Sequence, residues 1–507
     1  MSTPEEKLKK IVEFGDFQTP DHLAREVTDF IRSTGFRPSV VIEPTCGVGS
    51  FVKSSLASFE SCPRVVGVEI NKDHLGALES SLAAPEKARS ELLSGDFFQM
   101  PWQNMIEDYA EPILFIGNPP WVTSAELGLL YSSNLPEKNN FQGRGGFDAI
   151  SGKANFDISE WMLIHLLDWL GDRRGMVAML CKTSVARKVL KHAWKHEFPI
   201  VSPSIHLIDA KKDFGVSVDA CLFVCETGPE QGNKTCGVYP GISYDNQTSS
   251  IGVHDDELVA DIRKYSEHSY LDGTEQVRWR SGVKHDCAKI MEFRKEGAHY
   301  VNGLGEAVEL EATYMYPLYK SSDVAKPEDS PPRRWVLVTQ TYVGQDTREI
   351  ETDSPETWSY LVRHAEKLDG RRSTIYDKQP RFAVFGVGGY SFSPWKVAIS
   401  GLYKKLYFKV LGPSGGKPPI VDDTCYSIPC SSESEARAIA ELLNSRMARE
   451  FLESFVFWDA KRPINIDILR RLDLLKLAAR SEKSLDLSGS LVYSGQKGSA
   501  RQQQLPI

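Results

Sequence analysis

The chain has no Cys-x-x-Cys pair, no apolar run of membrane-spanning length and no histidine-rich loop, and each absence removes a class of protein. Its nine cysteines, an odd number scattered over 507 residues, give neither a disulfide framework nor a zinc-binding spacing. Cys221 and Cys225 fall in one apolar, strand-like run, and Cys425 and Cys430 flank another, so buried thiols are expected there. The opening Met1-Ser2-Thr3-Pro4-Glu5-Glu6-Lys7 lacks the apolar core of a secretion signal. With no membrane-length run either, a cytoplasmic protein without a membrane partner is expected. No acidic pair followed by a Glu-x-Lys step stands in a domain of its own, so neither a metal site nor a fused metal-dependent nuclease is expected. A net charge of −8 argues neither for nor against a polyanionic partner, because that contact depends on local patches. The rest is ordinary for a globular protein, with 41% hydrophobic and 25% charged residues and length enough for two to four domains.

What is present centres on Ile113–Trp121. Ile113, Leu114, Phe115 and Ile116 read as a buried strand that stops at Gly117. Asn118-Pro119-Pro120-Trp121 follows, where an open α/β sheet presents its ligand groups. The prolines stiffen the backbone and donate no N–H, leaving carbonyls to accept from something else. A planar molecule with an exocyclic amino group suits this set. The Asn118 oxygen and the Pro119 carbonyl would take its two N–H bonds, and Trp121 would stack on its ring. A proline-stiffened turn with a core Trp is the plainer alternative.

Three strands upstream decide between them. Ser39–Glu43 leads into Pro44-Thr45-Cys46-Gly47-Val48-Gly49, whose glycines permit a tight turn and close approach of a ligand to the next helix's N–H groups. Val65–Glu69 ends in an acid of the kind that holds ribose hydroxyls, and Leu92–Phe98 carries Asp96 beside Phe97 and Phe98. Glu43, Glu69, Asp96 and Asn118 therefore terminate successive strands 26, 27 and 22 residues apart, which is βα-unit spacing. A nucleoside-containing cofactor lying across the strand ends accounts for all four.

These motifs resemble those of the S-adenosylmethionine-dependent N6-adenine DNA methyltransferases in their gamma order, with cofactor motifs first, then the catalytic motif, then the recognition region. The resemblance covers residues 15–225 and includes Phe17-Gln18-Thr19-Pro20, similar to the motif that closes over the methionine end of the cofactor. It implies an α/β, Rossmann-like class I methyltransferase domain followed by a mixed α+β target-recognition domain. It also implies that Glu43, Pro44 and the Gly47–Gly49 loop hold the amino-acid end of S-adenosylmethionine, with Phe17, Thr19 and Pro20 closing over it. Glu69 would bind the ribose, Asp96 the adenine amino group, and Phe97 or Phe98 the ring. Asn118, Pro119, Pro120 and Trp121 would handle a target adenine flipped out of duplex DNA. Trp121 stands where Tyr or Phe is commoner, so stacking survives but the fit could differ. Phe214 would pack on the same base, although a core Phe fits equally well.

Between these motifs, Ser124–Lys153 is a long polar stretch, with Arg144 in a glycine-rich segment, expected to be a loop touching substrate. Asp157 reads first as the cap of a helix Ile158–Leu170. Glu226–Ser250 is rich in turn formers and is expected to be a linker between a catalytic domain, 1–225, and a recognition domain, 251–480. Beyond it, cations alternate with aromatics. Arg278, Arg280, Lys284, His285, Lys320, Arg371 and Arg381 are the candidate DNA contacts, with Lys404-Lys405 and Lys461-Arg462 in the same set. Arg278–Asp286, Lys320–Asp323 and Arg381–Tyr390 also resemble target-recognition regions of restriction–modification methyltransferases. Glu433–Phe457 reads as one helix with Ser432 and Glu435 at capping-box spacing, and 481–507 as a disordered tail. The expected protein is thus an adenine-N6 DNA methyltransferase whose partners are double-stranded DNA and a separately encoded restriction endonuclease. An RNA or protein-glutamine N-methyltransferase using the same Asn-Pro-Pro-Trp site, or a catalytically silent DNA-binding module, remain as alternatives.

Overall fold

Two continuous apolar runs lie side by side within the parallel part of a ten-stranded sheet. The computed structural model describes residues 18–122 and 157–494, apart from 231, 233, 298 and 328–330. Residues 1–16, Phe17, the Ser124–Lys153 stretch with Arg144, and everything beyond Ser494 lie outside the described residues. Strands β1 (Val40–Glu43), β2 (Arg64–Glu69), β3 (Ser90–Ser94), β4 (Ile113–Gly117) and β5 (Gly175–Lys182) run parallel in the order β3-β2-β1-β4-β5. Every residue of β1 and β4 is buried, as expected of strands covered on both faces. The chain steps outward from β1 to β3, then returns to the far side of β1 to lay down β4. At that reversal the connections leave in opposite directions and open a crevice beyond the strand ends. β7 (Ala220–Thr227) then runs antiparallel between β5 and β6 (Ser204–Ile208).

Helices α1 (Asp21–Ser33), α2 (Ser50–Ser58), α3 (Lys72–Ser81), α4 (Ala84–Lys87) and α5 (Trp102–Glu107) belong to the first half of this sheet. Pro20 occupies the N-cap of α1, and Leu23, Ala24, Val27, Phe30 and Ile31 bury the face that helical spacing predicts. α6 (Ile158–Leu170) is apolar around most of its circumference and correspondingly buried. Asp157 caps it by accepting from the Ser159 N–H. α7 (Thr183–Lys195) and α8 (Ala210–Phe214) complete this half. Among the described residues, no helix is long and apolar enough to cross a membrane.

The stretch expected to be a linker belongs to the sheet. β7 ends at Thr227, and β8 (Thr235–Tyr239), β9 (Ser249–His254) and β10 (Glu257–Val259) extend the sheet past β6. The chain divides instead into Met1–Arg263 and Lys264–Ile507. Turns and strands near the sheet edge carry polar and glycine residues, so their composition resembles that of a linker. Cys236, Ile251 and Val259 are buried apolar residues that mark them as strands.

The second unit is mixed α+β, with a four-stranded sheet and a six-stranded one. The first is made of β11 (Arg280–Ser281), β17 (Trp395–Ser400), β18 (Lys409–Leu411) and β20 (Cys425–Cys430), in the order β11-β20-β17-β18. The second is made of β12 (Glu292–Glu296), β13 (His299–Asn302), β14 (Ala307–Val308), β15 (Met315–Tyr319), β16 (Arg334–Leu337) and β19 (Ile420–Val421), in the order β14-β13-β12-β16-β15-β19. The single helix expected over Glu433–Phe457 is two, Glu433–Leu443 and Arg446–Glu453. Asn444 interrupts it, its side chain exchanging hydrogen bonds with the N–H and C=O of Phe408 at 3.0 and 2.7 Å. Ser432 caps the first helix as its spacing predicts, but Glu435 does not reciprocate. Its carboxylate accepts from the Ser431 N–H at 2.9 Å and from the Ser490 N–H and Oγ at 2.7 and 2.8 Å. Those last two bonds correct the expectation of disorder over residues 481–494, because they hold a helix over Ser488–Ser494 with Ser490 fully buried; the rest of the expected tail lies outside the described residues. Glu435→Ala would strip buried donors of their acceptor at a cost of about 1–3 kcal/mol. Denaturant melts of the full chain should show that loss, and hydrogen exchange should show lost protection over residues 488–494.

Candidate active site

The C-terminal ends of β1, β2 and β4 and the turn after β3 converge on a cleft of about 270 Å³, near the lower end of ligand-sized pockets. Glu43, Pro44, Thr45, Gly47, Glu69, Asp96, Phe97, Phe98, Asn118 and Pro120 all line it. Residues chosen for four separate strand ends thus border one space.

Its floor is built around α2. Gly47 and Gly49 have φ of +51° and +82°, in the left-handed region that favours glycine. A Cβ on Gly47 would lie 2.6 Å from Gln18 Oε1, and one on Gly49 would run into the Leu78 side chain. Glu43 is buried, and its Oε2 accepts from the Val52 N–H in the first turn of α2 at 2.9 Å. Burial pushes its carboxyl well above the usual carboxylate range, the Val52 bond and Lys53 pull against that, and Glu69 adds to it. Cys46, also on the cleft, is held protonated by burial and by the two carboxylates, which makes it a poor nucleophile.

Glu69 divides its carboxylate between the Gly47 and Asn71 N–H groups, both at 2.8 Å, so it braces the glycine loop. An ionised carboxylate has about four acceptor positions, which leaves capacity for ligand hydroxyls. Asp96 accepts from the Phe98 N–H at 3.0 Å and from Gln99 Nε2 at 3.2 Å. Phe97 is packed among Trp102, Trp161 and Trp169, whereas Phe98 meets Trp161 edge-on at 5.3 Å.

Trp121 is placed differently from the expectation of an open stacking face. It is 7% exposed and does not border the cleft, its indole N–H donates to the Leu180 carbonyl at 3.3 Å, and its ring meets Phe214 edge-on at 5.2 Å. The turn is nevertheless secured from two sides. Ile158 N–H donates to the Val122 carbonyl at 2.9 Å, and Asp157 pairs with Lys182, at the end of β5, at 2.7 Å. Thr19 and Pro20 stand at the start of α1, with the Thr19 carbonyl accepting from Ser50 Oγ at 2.8 Å.

Several lining residues escape sequence reasoning. Gln18 accepts from the Val48 N–H at 3.1 Å, Ile70 is 54% exposed beside Glu69, and Ile158 and Met162 come from α6. Thr45 Oγ1 is buried on the cleft and has no hydrogen-bond partner among the described residues. An apolar residue following a strand-terminal acid is the signal that points to Ile70. The others depend on packing.

Four of the candidate DNA contacts are internal to the second unit. Arg280 is buried with its guanidinium 4.4 Å over the Tyr390 ring, and Arg371 lies 3.7 Å over Tyr376 while donating to the carbonyls of Leu368, His285 and Ala383. Burial lowers the pKa of both. Lys320 binds Glu292 at 2.6 Å, and buried His285 stands 3.3 Å from the same carboxylate. These four hold the unit together, whereas the sequence places them among the candidate DNA contacts. Arg278 is exposed, Lys284 is paired with Asp286 at 3.7 Å, and exposed Arg381 is paired with Asp369 at 2.7 Å. The three segments that resemble recognition regions do converge: Lys284 and Phe385 exchange backbone hydrogen bonds, Arg280 meets Tyr390, and Lys320 and His285 share Glu292.

A doubly wound sheet with acids at three adjacent strand ends and an Asn-Pro-Pro turn at a fourth is the fold of class I methyltransferases. No family model matches the sequence. The Type II methyltransferase M.NspV of Nostoc sp. is 44% identical over 472 residues, covering 93% of this chain and 98% of that one. The Type II methyltransferase M.CvrRI of Paramecium bursaria Chlorella virus XZ-6E is 33% identical over 110 residues, 22% of this chain and 25% of that one. Among solved structures, the Type IIL restriction-modification enzyme MmeI, in complex with DNA, overlays with a TM-score of 0.49 at 12% identity, covering 97% of this chain and 77% of that one. On the Nostoc relative, the chain belongs to the type II methyltransferases.

Glu43 gives the site a testable pH signature. A carboxyl raised on folding stabilises the fold fully below its ordinary pKa of 4.5, and that contribution is lost as pH climbs through the raised value. Glu43→Gln keeps an acceptor for Val52 without a charge to bury. Its melting temperature relative to wild type should therefore rise between about pH 5 and about pH 8. Parallel melting curves across that range would show that burial of the charge is without consequence.

Proposed function

We propose that this chain transfers a methyl group from S-adenosylmethionine to N6 of an adenine flipped out of duplex DNA, as the cytoplasmic modification enzyme of a restriction–modification system. The observation that carries this reading is that Asn118 and Pro120 border the same cleft as Glu69 and Asp96. A group that can accept from an amine stands beside those suited to a nucleoside. The residues suit the cofactor: a Cβ at Gly47 would fill the cradle, Glu69 keeps acceptor capacity, Thr45 offers an unpaired buried hydroxyl, and Ile70 and Phe98 offer apolar faces.

S-adenosylmethionine supplies an electrophilic methyl group. Glu43, Pro44 and the Gly47–Gly49 loop would hold its amino-acid end, with Thr19 and Pro20 at the start of α1 beside it; Phe17, the other residue expected there, lies outside the described residues. Glu69 takes the ribose, and Asp96 and Phe97 or Phe98 the adenine. Asn118 Oδ1 and the Pro119 carbonyl accept from the target amino group. An aromatic amine is a weak nucleophile because its lone pair is delocalised into the ring. Two neutral acceptors on its N–H bonds favour a more tetrahedral nitrogen and localise that pair for direct attack. Orientation and placement of dipoles supply most of the rate. For Trp121 and Phe214 to pack on the base, Trp121 would have to leave its buried place behind the cleft, where it meets Phe214 edge-on and donates to the Leu180 carbonyl. Arg278, Lys284 and Arg381 remain the surface candidates for DNA, and a separately encoded endonuclease would share the recognition sequence.

The test is methyl transfer from labelled S-adenosylmethionine to mixed genomic DNA, followed by nucleoside analysis. Label in N6-methyladenine at a recurrent short sequence is expected; label in a cytosine, in RNA or in protein overturns the substrate assignment. Asn118→Ala should lower transfer on the order of 100-fold or more while leaving cofactor affinity nearly unchanged. An equal loss of cofactor binding would remove Asn118 from the target side of the cleft.

A further inference from the structure

Since Arg280, His285, Lys320 and Arg371 hold the interior of the second unit, contact with a polyanion falls to its exposed cations. The connection between β17 and β18 is built for it. Leu402 and Tyr403 are 37% and 47% exposed at its tip, followed by exposed Lys404 and Lys405. We propose that this tip is a contact with duplex DNA, its lysines on backbone phosphates and its Leu402–Tyr403 pair set against the groove. The inference rests on the DNA reading above.

The tip is a held structure. Ser400 Oγ accepts from the Leu402 and Tyr403 N–H groups, both at 3.2 Å, and the Gly401 N–H donates to the Thr424 carbonyl at 2.9 Å. Leu406 and Phe408 return directly to the interior, with Asn444 fixing Phe408. Two adjacent apolar side chains are therefore directed outward by an anchored stem, at a cost in solvation that contact with a partner would recover.

Charge selects the partner. Lys405 Nζ lies 5.4 Å over the Tyr407 ring, which keeps its charge at the tip. A Cβ on Gly401 would come 3.1 Å from the Ile464 carbonyl oxygen, so Lys461-Arg462 runs beside the same connection. Arg462 offsets Asp423 at 3.8 Å, while Lys404, Lys405 and Lys461 have no carboxylate within ion-pair distance among the described residues. Unpaired lysines flanking an apolar pair match the chemistry of phosphates flanking stacked bases, where apolar side chains wedge against base steps and cations neutralise the backbone.

Binding of the full-length protein to a mixed-sequence duplex, measured by fluorescence anisotropy across a salt series, tests this, with melting temperature reporting the fold of each variant. The double change Lys404→Ala with Lys405→Ala should weaken low-salt binding roughly tenfold and reduce the slope of log affinity against log salt by about two. Leu402→Ser with Tyr403→Ser should weaken binding without altering that slope. Lys404→Gln alone, reducing the slope by about one, serves if a double variant misfolds. Wild-type affinity and slope in every folded variant would overturn the tip's role while leaving the DNA reading intact. A wild-type chain that binds no duplex would overturn both.

Discussion

Helix α2 starts in a turn of left-handed glycines with no side-chain cap of its own, so its first N–H groups need acceptors. Glu43 meets that need from the end of β1 through its bond to Val52. The carboxylate does so in the interior, where solvation no longer supports its charge and the helix N-terminus partly replaces it. The shape of the cleft floor depends on this one contact. It fixes how closely the glycine loop lies to the strand ends, and Glu69 then braces the same loop through Gly47. The acids that suggest a ligand site are thus also what gives the site its shape.

A second set of contacts does the same for the Asn-Pro-Pro-Trp turn. Trp121 is hydrogen-bonded to β5, Val122 to the first residue of α6, and the α6 cap Asp157 to Lys182 at the end of β5. The described chain leaves at Val122 and resumes at Asp157 with those two ends already joined. Whatever lies between them, the turn carrying Asn118 is held by two rigid elements, as orientation-dependent chemistry requires.

The second unit uses its cations in another way. Arg280 and Arg371 stack on tyrosines and donate to carbonyls, while Lys320 and His285 converge on Glu292. Lys396 is fully internal, donating to the carbonyls of Ser391 and Ser393. A guanidinium or ammonium buried against aromatic faces and carbonyls organises loops that have little apolar surface of their own. Three distant segments that resemble recognition regions are drawn together by this means.

Much of the first unit was legible from sequence because its signals are local. Apolar runs ending in Glu43, Glu69 and Asn118 are buried strands whose last residues must emerge at one edge of a parallel sheet. Gly47 and Gly49 are required by backbone dihedrals that the turn imposes. The extra strands over 235–259 were hidden because polar turns and near-edge strands share the composition of a linker. Ile158 and Met162 reached the cleft only through the packing of α6, which no spacing encodes. A cation's sequence neighbours do not reveal whether an acceptor waits in the interior, so Arg280 and Arg381 look alike in sequence and differ wholly in burial. The sequence alone determined which chemical groups stand at the strand ends, since strand periodicity and chain direction place them there. Tertiary structure alone decided which cations are spent inside and which face outward, since burial depends on contacts between residues far apart in the chain.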